Sequence, residues 1–162
     1  LEDLSFKDAS TELYNRRYFA LRIDEEVKRH TRFGHPLSLV VLNLDHFKQL
    51  NETQGPAAAD EVLREAARLL VKHSRSFTII ARLDGDSFAA LLANTPKAGA
   101  VTYSQRIRGV IAGHPFAHGA VTASFGVAGI PADAASADDL VAAAQRALAD
   151  AKRLGRNRVT AL

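Results

Sequence analysis

A mixed α/β fold, one sheet with helices packed on its faces, is the architecture this sequence predicts. Three features carry that expectation. Residues 37–44 (LSLVVLNL) form an almost unbroken apolar, β-branched run, the mark of a strand buried on both faces. Stretches on either side of it repeat their apolar residues at helical spacing. Further on, Asp84-Gly85 joins two short apolar runs, a strong local signal for a β-hairpin. A doubly buried strand followed by helices and then a hairpin builds one sheet covered on its faces.

The elements follow in order. Residues 1–10 show little periodicity and read as a linker or the end of an upstream helix, so the domain is placed at 11–162. From Asn15 to Thr31 the apolar residues Phe19, Ile23 and Val27 recur every fourth position among charges, which predicts an amphipathic helix. His35-Pro36 is expected to end it. After the 37–44 strand, the polar residues 46–54 suit a short helix stopped at Gly55-Pro56. Ala57–Lys72 is strongly helical, with Ala59, Val62, Leu63, Ala66 and Leu70 on one face. Phe77–Leu83 and Ser87–Leu92 are the hairpin strands, with Gly85 expected to supply a positive φ at the tip. A helix at Lys97–Ala112, a strand at Ala120–Ile130 and a helix at Ala137–Leu154 follow. Ser136 and Asp139 read as a capping box and Gly155 as the stop. Arg158–Ala161 closes the chain as an edge strand, the fifth of the sheet.

Composition excludes several function classes. The chain has 162 residues, 47% hydrophobic and 24% charged, the balance of a globular domain with a core of its own. There is no cysteine, which removes disulfides, thiolate metal sites and cysteine nucleophiles and agrees with a reducing compartment. No apolar run reaches the roughly 20 residues that span a bilayer, and no signal-peptide pattern opens the chain. The chain begins at Leu1 rather than Met, as an excerpt from a longer protein would. A net charge of +3 invites a nucleic-acid reading, but the bases are interleaved with acids, as in DEEVKR at 24–29, and read as a solvated face rather than a nucleic-acid surface. Lys152, Arg153, Arg156 and Arg158 form the one cluster that stands apart.

Two acidic spots carry candidate chemistry. One is the end of the first strand, where Asn43 and Asp45 share a face. The other is the hairpin tip with Asp84 and Asp86. Carboxylates brought together by a strand end and a hairpin suit magnesium, which takes oxygen ligands and keeps substrate phosphates in its shell. Asp residues at strand ends and turns also serve local hydrogen bonding, and spacing leaves both readings open. The histidines show no His-Glu-x-x-His pattern, Ser124 has no G-x-S-x-G setting, and no P-loop is present.

Read in order, six segments resemble the GGDEF family. DASTELYNRR at 8–17 is similar to the family's opening D-x-L-T-G-L-x-N-R-R, and LSLVVLNLDHFKQLN at 37–51 to its first strand and the following D-x-D-x-F-K-x-x-N turn. Residues 55–63 resemble G-H-x-x-G-D-x-x-L, and RLDGDSF at 82–88 stands where R-x-G-G-D-E-F belongs. TASFGV at 122–127 and AKRLGRNRV at 151–159 resemble the late strand and the ending. The resemblance implies a nucleotide-cyclase or polymerase-palm fold, an α+β sandwich whose mixed, largely antiparallel sheet of about five strands is flanked by helices. Active members join two GTP molecules, one held by each half of a homodimer, into cyclic-di-GMP, and two metal ions stabilise the attacking and leaving oxygens. It further implies a bacterial cytoplasmic domain, covalently linked to a sensor or to an EAL-type phosphodiesterase domain.

Carried over position by position, the resemblance implies guanine contacts at Asn51 and Asp60, phosphate-neutralising cations at Lys48, Lys152 and Arg156, and phosphate-cradling main-chain N–H groups at His46 and Phe47. Metal ligands fall at Asp86 and at the Leu44 carbonyl, with Asn43 in place of the usual Asp and Asp45 as a candidate substitute. The signature reads Asp84-Gly85-Asp86-Ser87-Phe88, so Ser87 stands where the catalytic acid belongs, and Asp84 is expected to crowd and repel phosphates. Of the inhibitory R-x-x-D motif only Arg75 remains, with Thr78 in the acidic position. The three changes at Asn43, Asp84 and Ser87 predict a degenerate, non-catalytic module that binds GTP or another guanine nucleotide weakly with Mg²⁺. A working diguanylate cyclase and a purely structural domain with an empty pocket are the alternatives.

Overall fold

The computed structural model describes residues 6–162. Its order is α1 (Arg16–Phe33), β1 (Leu37–Leu44), α2 (Phe47–Gln54), α3 (Pro56–Lys72), β2 (Ile79–Asp84), β3 (Ser87–Ala93), α4 (Lys97–Gly113), β4 (Ala123–Ile130), α5 (Ala137–Arg153) and β5 (Val159–Ala161). The expected element order holds throughout, with boundaries that shift by up to three residues. Residues 1–5, the first half of the segment read as a linker, lie outside the described residues. The part of that segment within them, Phe6–Ser10, folds back as a turn: Asn15 N donates to Phe6 O at 2.9 Å and Arg82 Nη1 to Asp8 Oδ2 at 3.1 Å.

The sheet runs β2-β3-β1-β4-β5. β1 lies at its centre, antiparallel to β3 and β4, and only the short β4–β5 pairing is parallel. Period-two alternation along β1 divides its side chains between two cores. Val40, Leu42 and Leu44 join Leu63, Leu70, Ile107 and Phe125 under α3 and α4. Leu37, Leu39 and Val41 join Phe19, Ile23, Leu140 and Leu148 under α1 and α5. Each fully buried Leu or Val contributes roughly 1.5–3 kcal/mol, which is why the 37–44 run tolerates no charge until the sheet ends. Asn43 therefore continues the α1/α5 face to the point where the strand opens to solvent.

Two local expectations are corrected. α1 is ended by Gly34 in the left-handed region, whose N–H closes on His30 O, rather than by the His35-Pro36 pair. In the hairpin β2 runs on to Asp84, which pairs with Ser87, and the register slips between Arg82 and Asp84. The extra residue gives the tip its twist, so Gly85 has no positive φ. The capping expectation for α5 holds, with Asp139 N donating to Ser136 Oγ at 3.1 Å.

Three carboxylates make stability depend on acid. Burial pushes the Asp8 carboxyl up, but its bonds from Thr11 and Arg82 outweigh burial and hold it low. Glu26, buried on α1, accepts from Arg22 Nη2 at 3.2 Å and from Arg29. Burial pushes its carboxyl up, but the two guanidiniums outweigh burial and hold it below its ordinary range. Glu65 on α3 is held down at about 2, chiefly by the Arg68 hydrogen bond, with His114 adding to it against some desolvation. An acid whose folded pKa is lowered contributes stability that is complete above the unfolded value near 4.3 and is lost as pH falls towards the folded value. The denaturant midpoint is expected to fall between about pH 5 and pH 2, and Glu26→Gln with Glu65→Gln to flatten part of that fall, leaving the share of Asp8. An acid limb unchanged in the double variant would assign it to other carboxylates.

Candidate nucleotide site

The end of β1, the β2–β3 tip, the start of α2 and the end of α5 enclose a cleft of about 410 Å³. It is lined by Asn43, Leu44, Asp45, His46, Phe47, Lys48, Asp86, Lys152 and Arg156, together with Gln49 and Glu52. Nine of the ligand positions expected from sequence thus meet at one place, although 113 residues separate Asn43 from Arg156 in the chain. The strand end and the hairpin tip are bonded together: Leu44 N donates to Asp86 O at 3.3 Å and Asn43 Nδ2 to the same oxygen at 3.4 Å.

The cleft favours anions by two separate means. His46 sits in the left-handed region at φ 58° as the N-cap of α2 and makes no side-chain cap bond. The first-turn N–H groups of α2 are thereby left for an external acceptor, and a helix N-terminus with free N–H groups attracts phosphate. In addition, the side chains of Lys48, Lys152 and Arg156 make no hydrogen bond or ion pair among the described residues, whereas Arg16, Arg64, Arg68 and Arg82 are all paired with carboxylates. Desolvation pushes the Asp86 carboxyl up and the negative charge of Asp45 adds to this, against the pull of Lys152 and Arg82.

Asn51 and Asp60 do not line this cleft. Asn51 is exposed on α2, and Asp60 on α3 accepts from Ser10 Oγ at 2.5 Å and from Arg64. The two helices meet at Gly55, whose N–H bonds Asn51 O at 3.0 Å. Asp84 is also outside the cleft. Its carboxylate lies 2.5 Å from Arg16 Nη2, and both side chains are largely exposed. Asp84 thus faces Arg16 and is not among the residues lining the cleft. Ser87 pairs with Asn43 across β1 and β3 but does not line the cleft. Arg75 stands apart at the turn before β2, its guanidinium 6.0 Å from the exposed Phe77 ring.

The oxygen donors test whether magnesium fits. Asp86 supplies one carboxylate, the Leu44 carbonyl a second oxygen and Asn43 a neutral amide. The Asp45 carboxylate is already spent on Thr122 Oγ1 at 2.7 Å, Ser124 Oγ at 2.6 Å and Asn157 N at 3.0 Å. Magnesium is typically held by one or two carboxylates plus phosphate oxygens. This set fits one ion carried in on a nucleotide's own phosphates and does not fit a resident pair. Sequence reasoning missed the Asp45 partners, although Thr122 and Ser124, two polar residues on one face of an otherwise apolar strand, were a visible signal.

Comparison with known proteins places this geometry. The sequence matches the family described as "Diguanylate cyclase, GGDEF domain" over residues 5–158. It is 36% identical over 163 residues to the response regulator PleD of Caulobacter vibrioides, covering 97% of this chain and 36% of that protein. It is 32% identical over 167 residues to diguanylate cyclase A of Treponema denticola, covering 99% of this chain and 45% of that protein. The chain thus spans less than half the length of these relatives. The crystal structure of the GGDEF domain of DgcB from Caulobacter crescentus, in complex with c-di-GMP, superposes with a TM-score of 0.91 at 30% identity, covering 96% of this chain and 92% of that one. With the family matched along nearly its whole length and the fold shared, this chain belongs to the diguanylate cyclase GGDEF domain family of cyclic-di-GMP signalling.

Proposed function

We propose that this GGDEF domain binds a guanine nucleoside triphosphate without cyclising it and serves as a regulatory module. One observation carries the reading. Among the described residues the cleft keeps three cations without a hydrogen bond or ion pair and a free helix N-terminus for the phosphates, but where the end of β1 meets the hairpin tip it offers one uncommitted carboxylate, Asp86. Groups of the first kind hold substrate and transition state alike and so support affinity rather than rate. Those that would stabilise charge developing during phosphoryl transfer are the ones replaced, at Asn43 and Ser87. A magnesium ion arriving with GTP would rest on Asp86 and the Leu44 carbonyl and would screen the phosphates. The chain's own share is to orient them through Lys48, Lys152 and Arg156. The relatives continue far beyond the matched region, which suits a module that passes nucleotide occupancy to an attached domain.

Titration calorimetry with GTP and magnesium, followed by analysis of the same sample for cyclic-di-GMP, tests this. Weak saturable binding, weakened further by Lys152→Ala/Arg156→Ala, without product is the expected result. Product at rates of order 1 s⁻¹, ordinary for an enzyme, would establish the working cyclase instead. No binding at millimolar GTP would leave only a structural domain.

A further inference from the structure

We propose that Asp45 is a positioning residue: it locks the α5–β5 loop in a strained shape that aims Arg156 at the phosphate cleft. The inference rests on the nucleotide-binding reading but concerns a residue to which that reading gives no role. Asp45 follows β1 directly, and its N–H donates to Thr122 O at 2.8 Å. Its carboxylate takes Ser124 Oγ on one oxygen, and Thr122 Oγ1 and the Asn157 N–H on the other. Ser124 is fully buried. Two of the three donors therefore fasten the carboxylate to the sheet, and the third reaches across 112 residues of sequence to the loop.

That loop needs holding. Gly155, Arg156 and Asn157 all have positive φ, at 127°, 65° and 47°. A left-handed backbone is uncommon for one non-glycine residue and rarer for two in a row. Such strain persists only where the surroundings over-determine it, and it concentrates at binding sites. The loop's bonds are Gly155 N to Lys152 O at 3.3 Å, Arg156 N to Ala151 O at 3.0 Å, Arg158 Nε to Arg156 O at 3.1 Å, Arg108 Nη1 to Asn157 Oδ1 at 3.1 Å, and the Asp45 bond. Of these, the Asp45 bond alone ties the loop to the end of β1 in the cleft wall; the Gly155 bond reaches Lys152 on the helix that precedes the loop. The Arg156 side chain has no partner of its own among the described residues, so the backbone alone sets where it leaves the loop. An anion held there meets a loop already ordered, so only the Arg156 side chain has to be fixed, which lowers the ordering cost of binding.

The test combines amide exchange with binding. Asp45→Ala is expected to raise the exchange rate of the Asn157 amide at least about 10-fold and to weaken GTP about 10-fold. Adding Arg156→Ala to Asp45→Ala should then cost little more, because the contact is already lost. Adding Lys48→Ala should multiply the loss in full, as expected for an independent group. Asp45→Asn, which keeps the shape but has one acceptor oxygen for three donors, should show the same pattern if Asp45→Ala folds poorly. Unchanged Asn157 exchange, or full additivity between Asp45 and Arg156, overturns the proposal. If the unsubstituted domain takes up no GTP, the nucleotide reading fails, and the Asn157 exchange rate still decides whether Asp45 holds the loop.

Discussion

Asn43→Asp combined with Ser87→Glu is expected to raise cyclic-di-GMP formation at least about 10²-fold over the unsubstituted domain, while GTP affinity changes by less than about 10-fold. The two positions are cross-strand partners on β1 and β3, and Asn43 is bonded to the Asp86 backbone. New carboxylates there would stand beside Asp86 and complete an oxygen set that now contains one free acid. Alone, each would add negative charge near a carboxyl already pushed up by burial, so either single change should favour a protonated acid rather than metal binding. Together, and with magnesium, they can ionise. The effect should therefore exceed the product of the singles, the usual outcome when groups act as a unit. Adding Asp84→Gly should change little, since Asp84 is paired with Arg16 outside the cleft. Product formation and calorimetry on the double and triple variants check both statements. A double variant that binds GTP in magnesium and still yields no product would place the defect elsewhere.

How much of this was legible in the sequence depended on whether a signal was local. The β1 run, the helical periodicities and the Asp84–Ser87 hairpin are written in spacings of two to four residues, and each element stands where those spacings put it. The cleft was legible only as an ordered set of motifs, because His46, Asp86 and Arg156 are brought together by the sheet and not by the chain. Pairings between distant polar side chains were not legible as pairs, even where one partner stood out, as Thr122 and Ser124 do. Asp84 and Asp86 are alike in sequence, yet one is bonded to Arg16 and exposed while the other is half-buried and lines the cleft. The same limit made Asp45 read as a metal ligand: whether a carboxylate is free depends on donors that lie 77 to 112 residues away. Gly85 shows the opposite error, a local rule overridden when the one-residue slip after Arg82 relieved the need for a positive φ.

Gly126→Ala is expected to be the most damaging conservative change in the domain, destabilising it by at least about 3 kcal/mol. Gly126 lies in the middle of β4, paired with Val41 on one side and Thr160 on the other. A methyl group there would come 2.3 Å from Ala144 O, 2.3 Å from Leu148 N and 2.8 Å from Leu148 Cα. These are backbone atoms of α5, so no rotamer change relieves the clash, and the whole helix must lift from the sheet. Lifting it would open the core that Leu140 and Leu148 form with β1 and shift Lys152 at the edge of the cleft. Gly109→Ala supplies the contrast. It lies within α4 with nothing within 4 Å of the added carbon, and replacing a helical glycine should stabilise by roughly 0.5–1 kcal/mol. Denaturant midpoints of the two variants against the parent give both values. A Gly126→Ala domain as stable as the parent would mean that α5 can move off β4 by about an ångström at no cost, which close packing of the interior does not allow.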